Sequence, residues 1–218
     1  SYLVVNDNDI NLVLSNPSLI NANMSNSLNL SFIDYYSDIT AGYCTYSRAF
    51  EKYGNFAATL QFLNYGQFTY ADETGETYNN FSAGDYAFNI GWGRALDSSF
   101  SIGANLKFIY SSLESYESLG IATDIAAMYH SDKQQLAAAI IIKNIGRQIV
   151  SYRPGNKEPL PFKIQFGISK KLAHTPIRFS FLADNLQKWD LTSEQDNKYN
   201  INKLTGDTIQ EKRFNKFI

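Results

Sequence analysis

Few side chains in this chain have the type and spacing that catalysis needs. His130 and His174 are its only two histidines, and both border predicted short turns outside any Ser-His-Asp arrangement. The run Gly91-Trp92-Gly93-Arg94 is rich in glycine, but no helix is predicted after it, so it does not match a nucleotide-binding loop. The sequence therefore predicts no catalytic residues.

Metal-binding and redox side chains are equally sparse. Asp72, Glu73 and Glu76 lie close together, but not at the spacing of an EF-hand calcium loop. Cys44 is the only cysteine, which excludes a disulfide within the chain and a cysteine-rich zinc site. The sequence therefore predicts no metal site and no cofactor.

One pair of opposite charges is placed to interact. Lys107 and Asp124 lie on the polar sides of two consecutive predicted strands, so their side chains are expected to meet across the sheet. The pair has two interpretations: an ion pair that holds the strands in register, or part of a proton or ion path. We favour the ion pair, because charged side chains are common on the polar side of such sheets.

The strands that position these residues are recognised by alternating apolar and polar residues. Between Phe100 and Ser111 nearly every second residue is a large apolar one, which predicts a β-strand with one apolar and one polar face. The same period of two recurs along most of the chain. It predicts nine strands, at residues 28–32, 40–50, 56–63, 86–93, 100–111, 119–127, 136–143, 162–169 and 177–184.

The composition favours a membrane wall over a soluble sheet. Charged residues make up 18% of the chain, which also contains 15 tyrosines and 15 phenylalanines. Bulky residues fall on the apolar side of the strands and small ones on the polar side, as in a barrel whose outer face meets lipid. We predict an all-β, antiparallel transmembrane β-barrel integral to a Gram-negative outer membrane. A soluble barrel or sandwich is the alternative interpretation of the same alternation.

Other classes are excluded by charge and hydropathy. The net charge of −2 provides no basic surface for nucleic acid. No apolar run reaches the length of a transmembrane helix, and no signal peptide is recognisable at the start of the sequence.

The connections between the predicted strands alternate in length. Four of them are tight turns, as on the periplasmic side of outer-membrane barrels, whereas those at 65–84 and 148–160 are longer, as on the extracellular side. The tight turns are those at 51–54, 96–98, 131–134 and 172–175.

These features divide the chain into three parts. Residues 1–26 form an N-terminal segment that could plug the barrel or pack inside it, residues 27–187 form the barrel strands, and residues 188–218 form an extracellular loop. Because single-chain bacterial barrels normally have an even number of strands, we expect further C-terminal strands that are missing from this chain.

Contacts with other proteins are expected at the extracellular loops, since the wall itself would face lipid. Tyrosine, tryptophan and arginine are the residue types that most often anchor protein interfaces. The candidate partner-binding residues are Tyr70, Tyr78, Tyr152, Arg153 and Trp189.

Several segments, in order, resemble a known family. The segment Asn16-Pro17-Ser18-Leu19-Ile20 resembles the N-terminal region of fatty-acid-transporter-like outer-membrane barrels. The run SIGANLKFIYSSLESYESLGIATDIA, at 101–126, is similar to the PorV/PorQ family of type IX secretion system outer-membrane proteins. Gly146, the segment NKEPLPF at 156–162, and the strand and turn at 170–180 are most similar to the PorQ-type members, and the run NIGWGR at 89–94 fits them too.

The resemblance implies a complete fold and a biological role, neither of which the alternating pattern predicts by itself. The complete fold would be a fatty-acid-transporter-like barrel of about fourteen strands, of which nine are predicted here. Proteins of this type are not enzymes. They anchor or scaffold the cell-surface attachment complex of Bacteroidota, which receives secreted cargo and contains partners of the PorU, PorV and PorZ types. The alternative function is an outer-membrane channel for hydrophobic compounds, and a soluble lipocalin-like binder is a third possibility.

Overall fold

The computed structural model of the chain describes residues 3–4, 8–71, 74–153, 155, 157–172, 175, 177–188, 200–201 and 208–209. The chain divides into two compact units, Ser1–Gln187 and Lys188–Ile218. In the second unit, two short strands, Asn200–Ile201 and Thr208–Ile209, pair in antiparallel fashion.

The first unit contains a single antiparallel sheet of nine strands in chain order, so each strand pairs with the ones before and after it. The predicted all-β, antiparallel fold is therefore confirmed. The strands are β1 (Leu28–Asp34), β2 (Thr40–Phe50), β3 (Gly54–Ala71), β4 (Thr77–Ala95), β5 (Phe100–Leu113), β6 (Tyr116–Ser131), β7 (Leu136–Val150), β8 (Lys163–Lys171) and β9 (Arg178–Ala183). The edges of the sheet are β1 and β9.

The two faces of the sheet differ sharply in chemistry. One face, here called the outer face, exposes large apolar side chains at alternate positions of successive strands. They include Leu28, Leu30, Phe32, Tyr46, Leu60, Tyr86, Phe88, Ile90, Leu106, Phe108, Ile125, Ile140, Phe179 and Phe181. The opposite, inner face carries small and polar residues, among them the buried Thr45, Thr59, Asn89, Asn105 and Gln165.

The N-terminal segment packs on the inner face. Its three short 3₁₀ helices span Ile10–Leu14, Pro17–Leu19 and Ala22–Met24. Each begins after an Asp or Asn whose side chain accepts a hydrogen bond from the backbone N–H two residues later, which caps the helix. Val13, Ile20 and Met24 pack with Ala57 of β3, and Leu3, Val4 and Leu19 pack with apolar residues of β6 and β7.

Glycines of the inner face make room for the backbone of this segment. A Cβ at Gly103 would lie 2.5 Å from the backbone nitrogen of Ser18 and closer still to the carbonyl of Pro17. A Cβ at the neighbouring Gly93 would lie 2.7 Å from the carbonyl oxygen of Ile20. The backbone of the N-terminal segment therefore lies directly against the backbone of the sheet at Gly93 and Gly103, where the strands carry no side chains.

Polar side chains fix the segment in place. Asn16 is fully buried; its Nδ2 donates to the carbonyl oxygen of Leu3 at 2.7 Å, and its Oδ1 accepts from Ser18. Asn105 of β5 donates through Nδ2 to the carbonyl oxygen of Val13 at 3.2 Å. These bonds satisfy backbone groups that would otherwise be buried without a partner.

At two of the predicted connections, the strands extend further than the sequence predicts. The predicted long connections at 65–84 and 148–160 are wrong in extent, because β3 continues to Ala71, β4 already begins at Thr77, and β7 continues to Val150. The tight turns at 51–54, 96–98 and 131–134 are confirmed, since the strands on either side of each are close in the chain and pair directly, whereas the turn at 172–175 includes residues outside the described part of the chain. Among the described residues, no helix combines the length and the hydropathy that crossing a bilayer requires.

Candidate functional site

The hairpin formed by β3 and β4 extends beyond its neighbours. β2 pairs with β3 as far as Asn64, and β5 pairs with β4 from Ala83. Among the described residues, residues 67–82, here called the hairpin arm, form strand pairs only with each other, and the Glu114 N–H donates to the Ser82 carbonyl oxygen at the base of the arm. Candidate residues Tyr70 and Tyr78 therefore lie in paired strands of this arm and not in a loop, which corrects their predicted placement.

Aromatic rings cluster in the hairpin arm. The ring of Phe81 stacks on Phe68 with centroids 5.2 Å apart and lies 4.8 Å from the ring of Tyr70. Tyr78 is 54% exposed. A hydrogen bond from the Tyr70 hydroxyl to Glu114 raises the pKa of Tyr70 and ties the arm to the turn after β5.

A second candidate, Tyr152, closes a polar network beside the arm. Its hydroxyl donates to Ser111 Oγ, and Ser111 in turn donates to Asp85 Oδ1. Tyr65 donates to Asp85 Oδ2 at 2.7 Å. The network connects β3, β4, β5 and the residues after β7.

The remaining candidates are less constrained. Arg153 is exposed, and its carbonyl oxygen accepts a hydrogen bond of 2.8 Å from Ser151 Oγ. Trp189 lies outside the described residues. The structure thus brings Tyr70 and Tyr152 to the same end of the sheet as Tyr78 and leaves Arg153 in solvent beside them.

A cavity of about 430 Å³ lies at the base of the hairpin arm. Its walls are mostly apolar, and Asp85 is the only charged side chain among the described residues that line it. The lining consists of Tyr65, Phe68, Phe81, Ala83, Asp85, Ser111, Ser112, Leu113 and Tyr152. Sequence reasoning missed Asp85, although its place on the polar side of β4, opposite Ser111, was a usable signal.

The predicted pairing of Lys107 with Asp124 is confirmed. The Lys107 Nζ lies 2.6 Å from Asp124 Oδ2, and the Asp124 side chain is fully buried while that of Lys107 is 15% exposed. Asp124 Oδ1 accepts the backbone N–H of Asn144 at 2.9 Å, and Lys107 also donates to Asn144 Oδ1 at 3.1 Å. The pair therefore fixes a β-bulge in β7 as well as the contact between β5 and β6.

Of the histidines and the acidic cluster singled out in the sequence, the structure describes one histidine and one acidic residue. His130 lies 2.8 Å from the exposed Asp132 in the turn before β7, and His174, Asp72 and Glu73 lie outside the described residues. Within the described part of the chain, no group of three His, Cys, Asp or Glu side chains is placed to hold a metal ion. Cys44 is a free, half-buried thiol on the outer-face side of β2.

The fold and this site define an all-β protein with one nine-stranded antiparallel sheet, a covered polar face and an exposed apolar face. The chain matches no family model, no curated protein and no solved structure.

Proposed function

We propose that the protein is an integral outer-membrane β-barrel that anchors and scaffolds proteins at the cell surface. The observation that carries this proposal is the exposed apolar outer face of the sheet. Leu30, Phe32 and Phe181 are 69%, 68% and 62% exposed, whereas soluble monomers rarely leave so extended an apolar patch in water. Lipid would cover this face, while the inner face and the N-terminal segment would fill the barrel.

The lengths of the strands support this assignment. A tilted strand needs about 9–11 residues to cross a bilayer, and β5, β6 and β7 contain 14, 16 and 15 residues. β3 and β4, with 18 and 19 residues, are long enough to cross and to carry the hairpin arm beyond the bilayer.

Within this class, the protein would act as a PorQ-type member of the PorV/PorQ family in the type IX secretion system of Bacteroidota. It would hold the attachment complex, which receives secreted cargo, at the outer membrane. The motifs at 16–20, 89–94 and 101–126 support this role by resemblance. The hairpin arm, with Tyr152 and Arg153 beside it, supplies the surface for partners of the PorZ, PorU and PorV types, because aromatic and arginine side chains are effective interface anchors.

Partner retention tests the scaffold. Residues 67–82 are replaced by an Asn-Gly turn, which removes the hairpin arm and keeps the register of the remaining strands. We expect the variant to stay in the membrane fraction after alkaline extraction but to retain at least tenfold less of its surface partner on purification.

A matched control replaces the turn at 51–53, at the opposite end of the sheet, and should retain the partner fully. Undiminished retention by the arm-less variant would refute the assigned surface. Release of the wild-type protein from membranes by alkali would refute the barrel itself.

A second candidate, a channel for hydrophobic compounds, is favoured by the resemblance of residues 16–20 to fatty-acid-transporter-like outer-membrane barrels. We expect uptake of a labelled fatty acid to differ between two strains that differ only in this protein if the channel is its main role. Equal uptake in the two strains, together with loss of partner retention in the arm-less variant, would leave the scaffold as the function.

A further inference from the structure

From the cavity at the base of the hairpin arm we infer a binding site for a small organic cation with an apolar body, such as an arylalkylamine. This inference does not rest on the proposed scaffold role, because ligand binding to the cavity can be measured on the isolated protein without any partner. Its volume of about 430 Å³ lies in the range of small-ligand pockets, which are lined mostly by apolar groups with a few placed polar ones.

The apolar part of the site is formed by three side chains. Phe68 and Phe81 stack on each other in the wall of the cavity, and Leu113 of β5 also lines it. Rings of this kind would pack against an apolar ligand body, and their faces also attract a nearby cation.

The polar part selects for positive charge. Each oxygen of the Asp85 carboxylate accepts one hydrogen bond from the protein, from Ser111 and from Tyr65. A carboxylate oxygen has a further lone pair, so Asp85 can still accept from a ligand. Since no basic side chain is present among the described lining residues, an ammonium group is the ligand group that best compensates this charge.

The same geometry disfavours a fatty acid. A ligand carboxylate placed at the polar end would face Asp85, and two carboxylates at close range repel when the surroundings exclude water. The position of the charge thus distinguishes this site from one that accepts any hydrophobic compound.

Three probes with one body test the inference: 4-phenylbutylamine, 4-phenylbutanol and 4-phenylbutanoate, titrated into the full chain by calorimetry. We expect the amine to bind about tenfold more tightly than the alcohol, as for a hydrogen bond to a charged group, and the carboxylate to bind more weakly than the alcohol. Equal or weaker binding of the amine would overturn the inference.

Two variants and a control separate the contributions. Asp85→Asn keeps an acceptor for Tyr65 or Ser111 but removes the charge, so the amine should bind no better than the alcohol. Phe81→Ala should weaken all three probes by a similar factor and keep their order. Asp34→Asn removes an exposed charge at the end of β1, outside the cavity, and should change nothing. A preference for the amine that persists in Asp85→Asn would refute the site, and the ranking in the wild-type protein tests it even if that variant fails to fold.

Discussion

Replacing Gly103 with alanine is expected to displace the N-terminal segment from the sheet and to lower the free energy of unfolding by about 3 kcal/mol, the upper range for an overpacked core. A Cβ at this position would overlap the backbone of Pro17 and Ser18. Because backbone and not a flexible side chain occupies the space, the clash cannot be relieved by a change of rotamer. The whole segment must move or the strand must bend.

Another glycine of the inner face provides the control for this prediction. Gly120, on the inner face of β6, would place a Cβ no closer than 3.7 Å to any neighbour, so Gly120→Ala should leave stability almost unchanged. Chymotrypsin should cleave the N-terminal segment after Leu12 or Leu14 faster in Gly103→Ala than in either the wild-type protein or the control. Equal cleavage rates and equal guanidinium midpoints would show that the segment does not lie against Gly103.

Replacing Lys107 with methionine is expected to destabilise the protein by about 3–5 kcal/mol, the usual result of removing one partner from a buried ion pair. Asp124 is fully buried, so without the ammonium group its charge would lose the ion pair at 2.6 Å and keep only the backbone N–H of Asn144 and the electrostatic attraction of Lys143 among its described partners. The methionine fills a similar volume, so that the loss reports on charge and not on packing. Guanidinium titration followed by tryptophan fluorescence measures it.

Two further variants test the cause of this loss. Lys133→Met removes an exposed lysine in the turn before β7 and should change the unfolding free energy by less than about 0.5 kcal/mol. The double variant Lys107→Met with Asp124→Leu removes both charges and should recover most of the stability, as buried ion pairs replaced by apolar residues often do. If the double variant is as unstable as Lys107→Met, the unpaired charge of Asp124 is not the cause of the lost stability.

Alternation predicts all nine strands of the sheet, and the short turns predict their antiparallel pairing, but the two short strands Asn200–Ile201 and Thr208–Ile209 lie in a stretch that the sequence predicts to be a loop. The alternating pattern fails where a β-bulge moves the residues that follow it to the opposite face of the sheet. At Asn144, with φ of +58°, β7 carries one more residue than β6 opposite it, so outer-face residues change from even to odd numbers. The pattern therefore ends at Lys143 in the sequence, although the strand continues to Val150.

The same cause explains the hairpin arm. Gly66 has φ of +81°, and the register between β3 and β4 shifts by one residue between Asn64 and Gln67. The shift turns Phe68 to the inner side, where it meets Phe81. Read as a simple alternation, this stretch has no consistent face and was predicted to be a loop.

The candidate site was predictable only in part. Tyr152 could be singled out by residue type, because tyrosine is common at interfaces. Its hydrogen bond to Ser111, and through it to Asp85, joins residues that are 41 and 26 positions apart in the chain. Such a network depends on strand register, and register depends on the bulges that a local pattern does not reveal.

The sheet is a meander, and this order of strands has a kinetic consequence. Every strand pair joins chain neighbours, so the hairpins can form one after another from contacts that are close in sequence. The N-terminal segment is different: Val4 contacts the position of Gly167 on β8, and its site exists only once β4 to β8 are assembled. The N-terminal segment is thus among the last parts of the described chain to reach its final place, and its contacts slow unfolding more than they speed folding.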